Sequence, residues 1–198
     1  RMVHASGAEV FLDLKFHDIP NTVAAAGVEA ARLGVRLFNV HATGGLAMME
    51  ATVAAVSRVC RTERLRRPKI IAVTVLTSLA ARDLRQVGIA SEVETQVVRL
   101  ARLAQRAGMD GVVASPREIM RIRRACGPGF LIVTPGVRPA GGDRHDQQRV
   151  MTPGDAIAAG ADHLVVSRPV LAAPDPVAAV NDIVTDMARG ALRRRGRP

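Results

Sequence analysis

The chain has 198 residues, 48% of them hydrophobic and 23% charged, with a mean hydropathy of +0.13 and a formal net charge of +10. That composition supports one sizeable core and excludes both a disordered chain and a small disulfide scaffold. No run reaches the roughly 18 uncharged apolar residues of a membrane span and no secretory signal is visible, so no membrane partner and a cytoplasmic location are expected.

Short β-branched runs alternate with helical patterns from end to end. In chain order the runs are 10–16, 37–41, 69–76, 111–114, 130–134 and 163–166. Among the helical patterns, 91–107 places Val93, Val97, Leu100, Ala101 and Ala104 on one face behind a Ser91/Glu94 capping box, with Gly108 as its stop. Another helix is expected to start at Thr152, with Pro153 at its first position and Asp155 near the positive end of the dipole.

This alternation implies parallel strands joined by helical crossovers, hence an α/β fold with strands covered on both faces. An eight-stranded barrel usually takes about 250 residues. Six units in 198 residues therefore suggest a (β/α)8 TIM barrel with six strand–helix units present, residues 1–188 forming one domain and 189–198 a basic tail. A doubly wound open sheet is the alternative. The opening Arg1-Met2 is not a natural initiation, and a preceding segment is expected, since six strands cannot close a barrel and the 10–16 strand would keep an unpaired edge.

The basic residues are localised. Arg189, Arg193, Arg194, Arg195 and Arg197 sit in the last ten positions, and Arg58, Arg61, Arg64, Arg66, Arg67 and Lys69 surround Pro68 in one connection. With no Trp, no Tyr and four Phe, the chain lacks stacking platforms for bases, which argues against nucleic acid as a partner. The tail reads as a solvated basic segment. Cys60 and Cys126 have no metal-ligand spacing and read as packing thiols.

Residues 11–22, FLDLKFHDIPNT, carry the chemistry. With strand period, Asp13 and Lys15 point to one face while Leu12, Leu14 and Phe16 point to the other. A charged pair inside an apolar strand contributes little to stability, so its presence points to function. Asp18 follows at the C-terminal end of the strand, where α/β sites lie. Carboxylates on both sides favour the ammonium form of Lys15, which makes it a proton donor rather than a Schiff-base nucleophile. Arg168 follows the last strand and can present a planar fork to phosphate oxygens. The glycine-containing connection 138–150 is long enough for a lid.

These residues resemble the orotidine 5′-phosphate decarboxylase family. The resemblance rests on Asp13-Leu-Lys-Phe-His-Asp-Ile-Pro-Asn-Thr22, Asn39-Val-His-Ala-Thr-Gly-Gly45, Val73-Thr-Val-Leu-Thr-Ser78, Val133-Thr-Pro-Gly-Val-Arg-Pro139 and Val165-Val-Ser-Arg-Pro-Val170, five motifs in the family's order. It implies conversion of orotidine 5′-phosphate to UMP without metal or organic cofactor. Lys15 would protonate the C6 carbanion, Asp13 would lie against the substrate carboxylate, and Asp18 and Thr22 would reach into a partner subunit's site in a homodimer. It agrees with Arg168 as a phosphate contact and adds Thr77, Arg138 and Gln147 as substrate contacts; from the residues themselves, His41 reads as lining the site and His17 as structural. Ser167 stands where the family usually has glycine, keeping the backbone N–H near the phosphate. The family's first two strands, with a ribose-binding aspartate and a second lysine, have no counterpart before Arg1.

Two rival readings remain. A magnesium-dependent sugar-phosphate decarboxylase or aldolase of the same superfamily shares the Asp-x-Lys-x-x-Asp pattern, but the Ile19-Pro-Asn-Thr22 continuation and the 133–139 loop argue against it. A non-catalytic barrel binding nucleotides or nucleic acid is supported by the incomplete charged array and the arginine tail.

Overall fold

The computed structural model describes residues 5–139 and 151–196. Six strands, β1 (Phe11–Phe16), β2 (Leu37–His41), β3 (Lys69–Val73), β4 (Gly111–Val113), β5 (Leu131–Pro135) and β6 (His163–Val165), form one sheet in sequence order. Every neighbouring pair is parallel. The crossovers carry α1 (Pro20–Arg32), α2 (Leu46–Thr62), α3 (Ala81–Gln86), α4 (Val93–Arg106), α5 (Ile119–Cys126) and α6 (Pro153–Ala159), and the short α7 (Arg168–Leu171) and the long α8 (Pro176–Arg195) follow β6. Among the described residues no helix is long and apolar enough to cross a membrane.

Strand alternation separates two apolar layers. Phe38, Val40, Ile70, Ala72, Val112 and Ile132 face the helices in the main core, whereas Leu37, Ile71 and Val133 form a smaller cluster with Phe11 and Val113 on the opposite face. The sheet is curled around that second face. Six flat strands would span roughly 24 Å at the usual spacing, yet Phe11 of β1 and Val165 of β6 line one cavity of about 200 Å³. This is an α/β sheet of barrel type, and the open doubly wound alternative does not describe it.

The starts of β4 and β6 are each pinned by an aspartate after a helix-ending glycine. Gly108 and Gly160 take positive φ, and Asp110 and Asp162 two residues on accept from the backbone N–H of Ile70 and Ile132 in the preceding strand, at 2.8 and 2.9 Å. Asp110 also binds Arg67 and Lys69, while Arg66 pairs with Glu9. Much of the basic 58–69 cluster is thus engaged on the face where the strands begin.

Three local expectations are corrected. The Ser91/Glu94 capping box does not form: α4 begins at Val93 with Glu92 at the cap, so Ser91 lies one residue too early and its hydroxyl donates to Gln96 instead. Glu94 pairs with Arg121. The arginines up to Arg195 are the end of α8, not a separate solvated tail, and Arg193 and Arg194 reach Asp155 and Asp162. Third, Leu14 is 60% exposed and does not pack with Leu12 and Phe16, because β1 breaks register between those two residues. The helix start at Thr152 forms as expected, the threonine side chain accepting from the Asp155 N–H.

A buried acid caps the turn after β4. Glu118 is 6% exposed, and its carboxylate accepts from the Ser115 N–H at 2.7 Å. Burial outweighs that bond and pushes its pKa up to about 6 from an ordinary 4.5. A carboxyl raised on folding binds its proton more tightly in the native state, so stability falls as pH rises from 4.5 to about 6. The cost is about 2 kcal/mol. Glu118→Gln is expected to remove that component from unfolding free energies measured by urea titration across this window, and an unchanged slope would contradict it.

Candidate active site

The cavity lies at the C-terminal ends of the strands. Asp13 and Lys15 from β1, Asn39 from β2 and Thr77 from the turn after β3 supply its polar groups, and Val73, Val113, Ala114, Pro135 and Val165 supply an apolar wall. Such a pocket, apolar with a few convergent polar groups, suits a planar heterocycle with a charged substituent.

The break in β1 positions the charged pair. Lys15 adopts φ +50°, rare for a residue with a side chain, and its backbone N–H leaves the ladder to donate to Asn39 Oδ1 at 2.8 Å. Lys15 Nζ then donates to Asp13 Oδ1 at 2.7 Å. Asn39 Nδ2 donates to the same oxygen at 2.6 Å. Burial raises the Asp13 pKa, but the Lys15 and Asn39 hydrogen bonds outweigh it and hold the carboxyl below its ordinary value. The pair is half-exposed, at 38% and 45% for the two side chains. This cavity-mouth position spares it the desolvation cost of a fully buried ion pair.

None of the other expected residues that are described, Asp18, Thr22, His41, Arg138, Ser167 and Arg168, lines the cavity. Asp18 accepts from the Ile19 N–H, and both Asp18 and Thr22 are exposed at the start of α1, outside the cavity lining. His41 ends β2, its ring 5.3 Å from that of His17. Burial, His17 and Lys15 lower its pKa against the opposing pull of Asp13, favouring the neutral ring at neutral pH. Arg138 is half-buried and donates to its neighbour Val137 O, while Ser167 and Arg168 are exposed at the start of α7. Ser167 has φ −127°, so nothing in the backbone there requires glycine. Gln147 and most of the 138–150 connection lie outside the described residues.

Asn39, which hydrogen-bonds both members of the charged pair, has no role assigned from sequence. Its signal was available: Leu37, Asn39 and His41 share a strand face, and a buried amide in an apolar strand must find partners.

A parallel α/β sheet of barrel type with a lysine–aspartate pair at the C-terminal end of one strand carries its polar groups where barrel enzymes carry their active sites. Residues 1–183 match the model of the orotidine 5′-phosphate decarboxylase / HUMPS family. The chain belongs to that family. It is 60% identical over 190 residues to the orotidine 5′-phosphate decarboxylase of Geobacter sulfurreducens, covering 96% of this chain and 79% of that one. It is 61% identical to that of Moorella thermoacetica, covering 94% and 75%. The crystal structure of orotidine 5′-phosphate decarboxylase from Lactobacillus acidophilus superposes with a TM-score of 0.82 at 36% identity, covering 93% of this chain and 78% of the other.

Proposed function

We propose that this protein decarboxylates orotidine 5′-phosphate to UMP in pyrimidine biosynthesis, with Lys15 as the proton donor. The observation that carries the reading is the Lys15 Nζ to Asp13 Oδ1 contact of 2.7 Å at a cavity floored by strand ends, in a chain of this family. The C6–carboxylate bond breaks, carbon dioxide leaves, and the electron pair stays on C6, where it takes a proton from Lys15 Nζ. Asp13 faces the departing carboxylate, and the ammonium beside it stabilises the developing carbanion.

Arg168 and Arg138 bind the phosphate, with Gln147 and the Ser167 N–H, and Thr77 and His41 line the pyrimidine side. Asp18 and Thr22, exposed and outside their own cavity lining, serve a second subunit in a homodimer. The six strands belong to a (β/α)8 barrel: β1 and β6 each have an edge that pairs with no strand among the described residues, and two further strands between them would close the ring.

Activity is read as loss of substrate absorbance on orotidine 5′-phosphate with chelator present. Turnover supports the proposal; no turnover with orotidine 5′-phosphate, but turnover of a sugar phosphate with added magnesium, would replace it by the metal-dependent reading. Arg168→Ala is expected to raise KM about 10²-fold with a smaller effect on kcat, since removing a charge-assisted phosphate bond costs about 3 kcal/mol. An unchanged KM would remove Arg168 from the phosphate site.

A further inference from the structure

We propose that Asn39 is a positioning residue for this reaction, a single buried amide that holds the Asp13 carboxylate and the Lys15 backbone in the one arrangement that aims both at the substrate. The inference rests on the reading of Lys15 as proton donor and concerns how that lysine is held.

Asn39 is 1% exposed on the cavity side of β2, in register with Ile71 of β3. A buried amide must satisfy its polar atoms, and here both partners belong to β1. Its Oδ1 accepts from the Lys15 N–H at 2.8 Å, and its Nδ2 donates to Asp13 Oδ1 at 2.6 Å. The first bond gives the Lys15 N–H an acceptor where β1 breaks register between Leu12 and Phe16 and the regular strand ladder offers none. It thereby holds Lys15 at φ +50°, a conformation that costs about 1 to 2 kcal/mol for a residue with a Cβ and needs a compensating interaction.

The second bond decides which carboxylate oxygen is occupied. Lys15 Nζ and Asn39 Nδ2 both donate to Oδ1, so Oδ2 of this cavity-lining aspartate takes no protein hydrogen bond among the described residues. Asn39 thus fixes the carboxylate plane without neutralising it. Leucine would leave the Lys15 N–H without an acceptor and Asp13 without its second donor, and aspartate would put a second negative charge against the first.

Asn39→Asp keeps the shape and the acceptor but loses the donor. Two carboxylates in contact share a proton, which raises their apparent pKa. The expected result is a kcat lower by about 10²-fold at pH 8, KM within about threefold, and partial recovery of kcat toward pH 5.5, where the shared proton restores a donor. Asn39→Ala is expected to lose kcat to a similar extent with no recovery at low pH. A wild-type kcat and pH profile in Asn39→Asp would overturn the proposal. So would losses in both variants that merely track the folded fraction seen by circular dichroism.

A readout independent of turnover separates this proposal from the assigned reaction. In protein labelled with carboxyl ¹³C aspartate, the Asp13 titration midpoint is expected to move up in Asn39→Ala relative to wild type. An unmoved midpoint overturns the clamp even if the wild type is fully active. A moved midpoint upholds it even if orotidine 5′-phosphate is not turned over.

Discussion

Lys15→Ala is expected to lower kcat on orotidine 5′-phosphate by about 10⁴-fold, combining loss of the proton donor with loss of the charge that stabilises the carbanion. The affinity for UMP, read by calorimetry, should change by only a few-fold, because the proposed phosphate contacts, Arg138 and Arg168, follow β5 and β6 rather than β1. Lys15→Arg is expected to be nearly as inactive: the guanidinium keeps the charge but does not release its proton at this pH and does not fit the position of a compact ammonium. The backbone makes a sharper version possible. Since Lys15 sits at φ +50°, Lys15→Gly relieves a conformational penalty of about 1 to 2 kcal/mol, offset by glycine's greater chain entropy and by a half-exposed ion pair worth about 0 to 1 kcal/mol. Its stability to urea should therefore stay within about 1 kcal/mol of wild type while its activity is lost. Retention of more than a tenth of wild-type kcat in any of the three would exclude Lys15 as the proton donor.

The same φ marks the limit of what sequence periodicity could deliver. Six strands were legible because buried β-branched runs between amphipathic helices have few other solutions, and their observed bounds differ from the expected ones by at most three residues. Asp13 and Lys15 were legible as a pair, since charge in an apolar strand needs a reason. What period two could not foresee was the register break that exposes Leu14 and turns Lys15 into the left-handed region. That break depends on Asn39, 24 residues away, and a long-range side-chain-to-backbone bond leaves no local pattern. The Ser91/Glu94 capping box failed for the opposite reason, a local pattern one residue out of phase with a helix that begins at Val93. The aspartates after Gly108 and Gly160 were readable as a repeat of glycine-x-aspartate before a strand, but only the register shows that each one binds the preceding strand.

At the other end of the strands, Arg123→Ala is expected to be strongly destabilising. Arg123 lies on α5, and its Nη1 donates to the carbonyls of Gly127, Pro128 and Phe130 at 3.0, 2.8 and 2.8 Å. Nη2 donates to Gly160 O and Asp162 Oδ2 at 2.6 and 2.8 Å. Its side chain is 16% exposed and that of Asp162 is 21% exposed. Truncation leaves four carbonyls and a partly buried carboxylate short of a donor, and the residual pairing of Asp162 with Arg194 at 3.3 Å is long. Breaking such a pair costs about 3 kcal/mol, which lowers Tm by roughly 6 to 12 °C in a chain of this size. Arg123→Lys retains the charge but not the fork, and should recover less than half of the loss. The control is Arg121→Ala two residues earlier, where a surface pair with Glu94 at 59% and 48% exposure contributes less than about 1 kcal/mol. Because Arg123 acts where β5 and β6 begin and the cavity sits where they end, kcat per folded molecule should stay within about threefold of wild type at a temperature below the lowered transition. A Tm unchanged by Arg123→Ala would mean that the strand starts are held by their apolar layers alone, and a fall in kcat at full folding would mean that the two ends of the sheet are coupled.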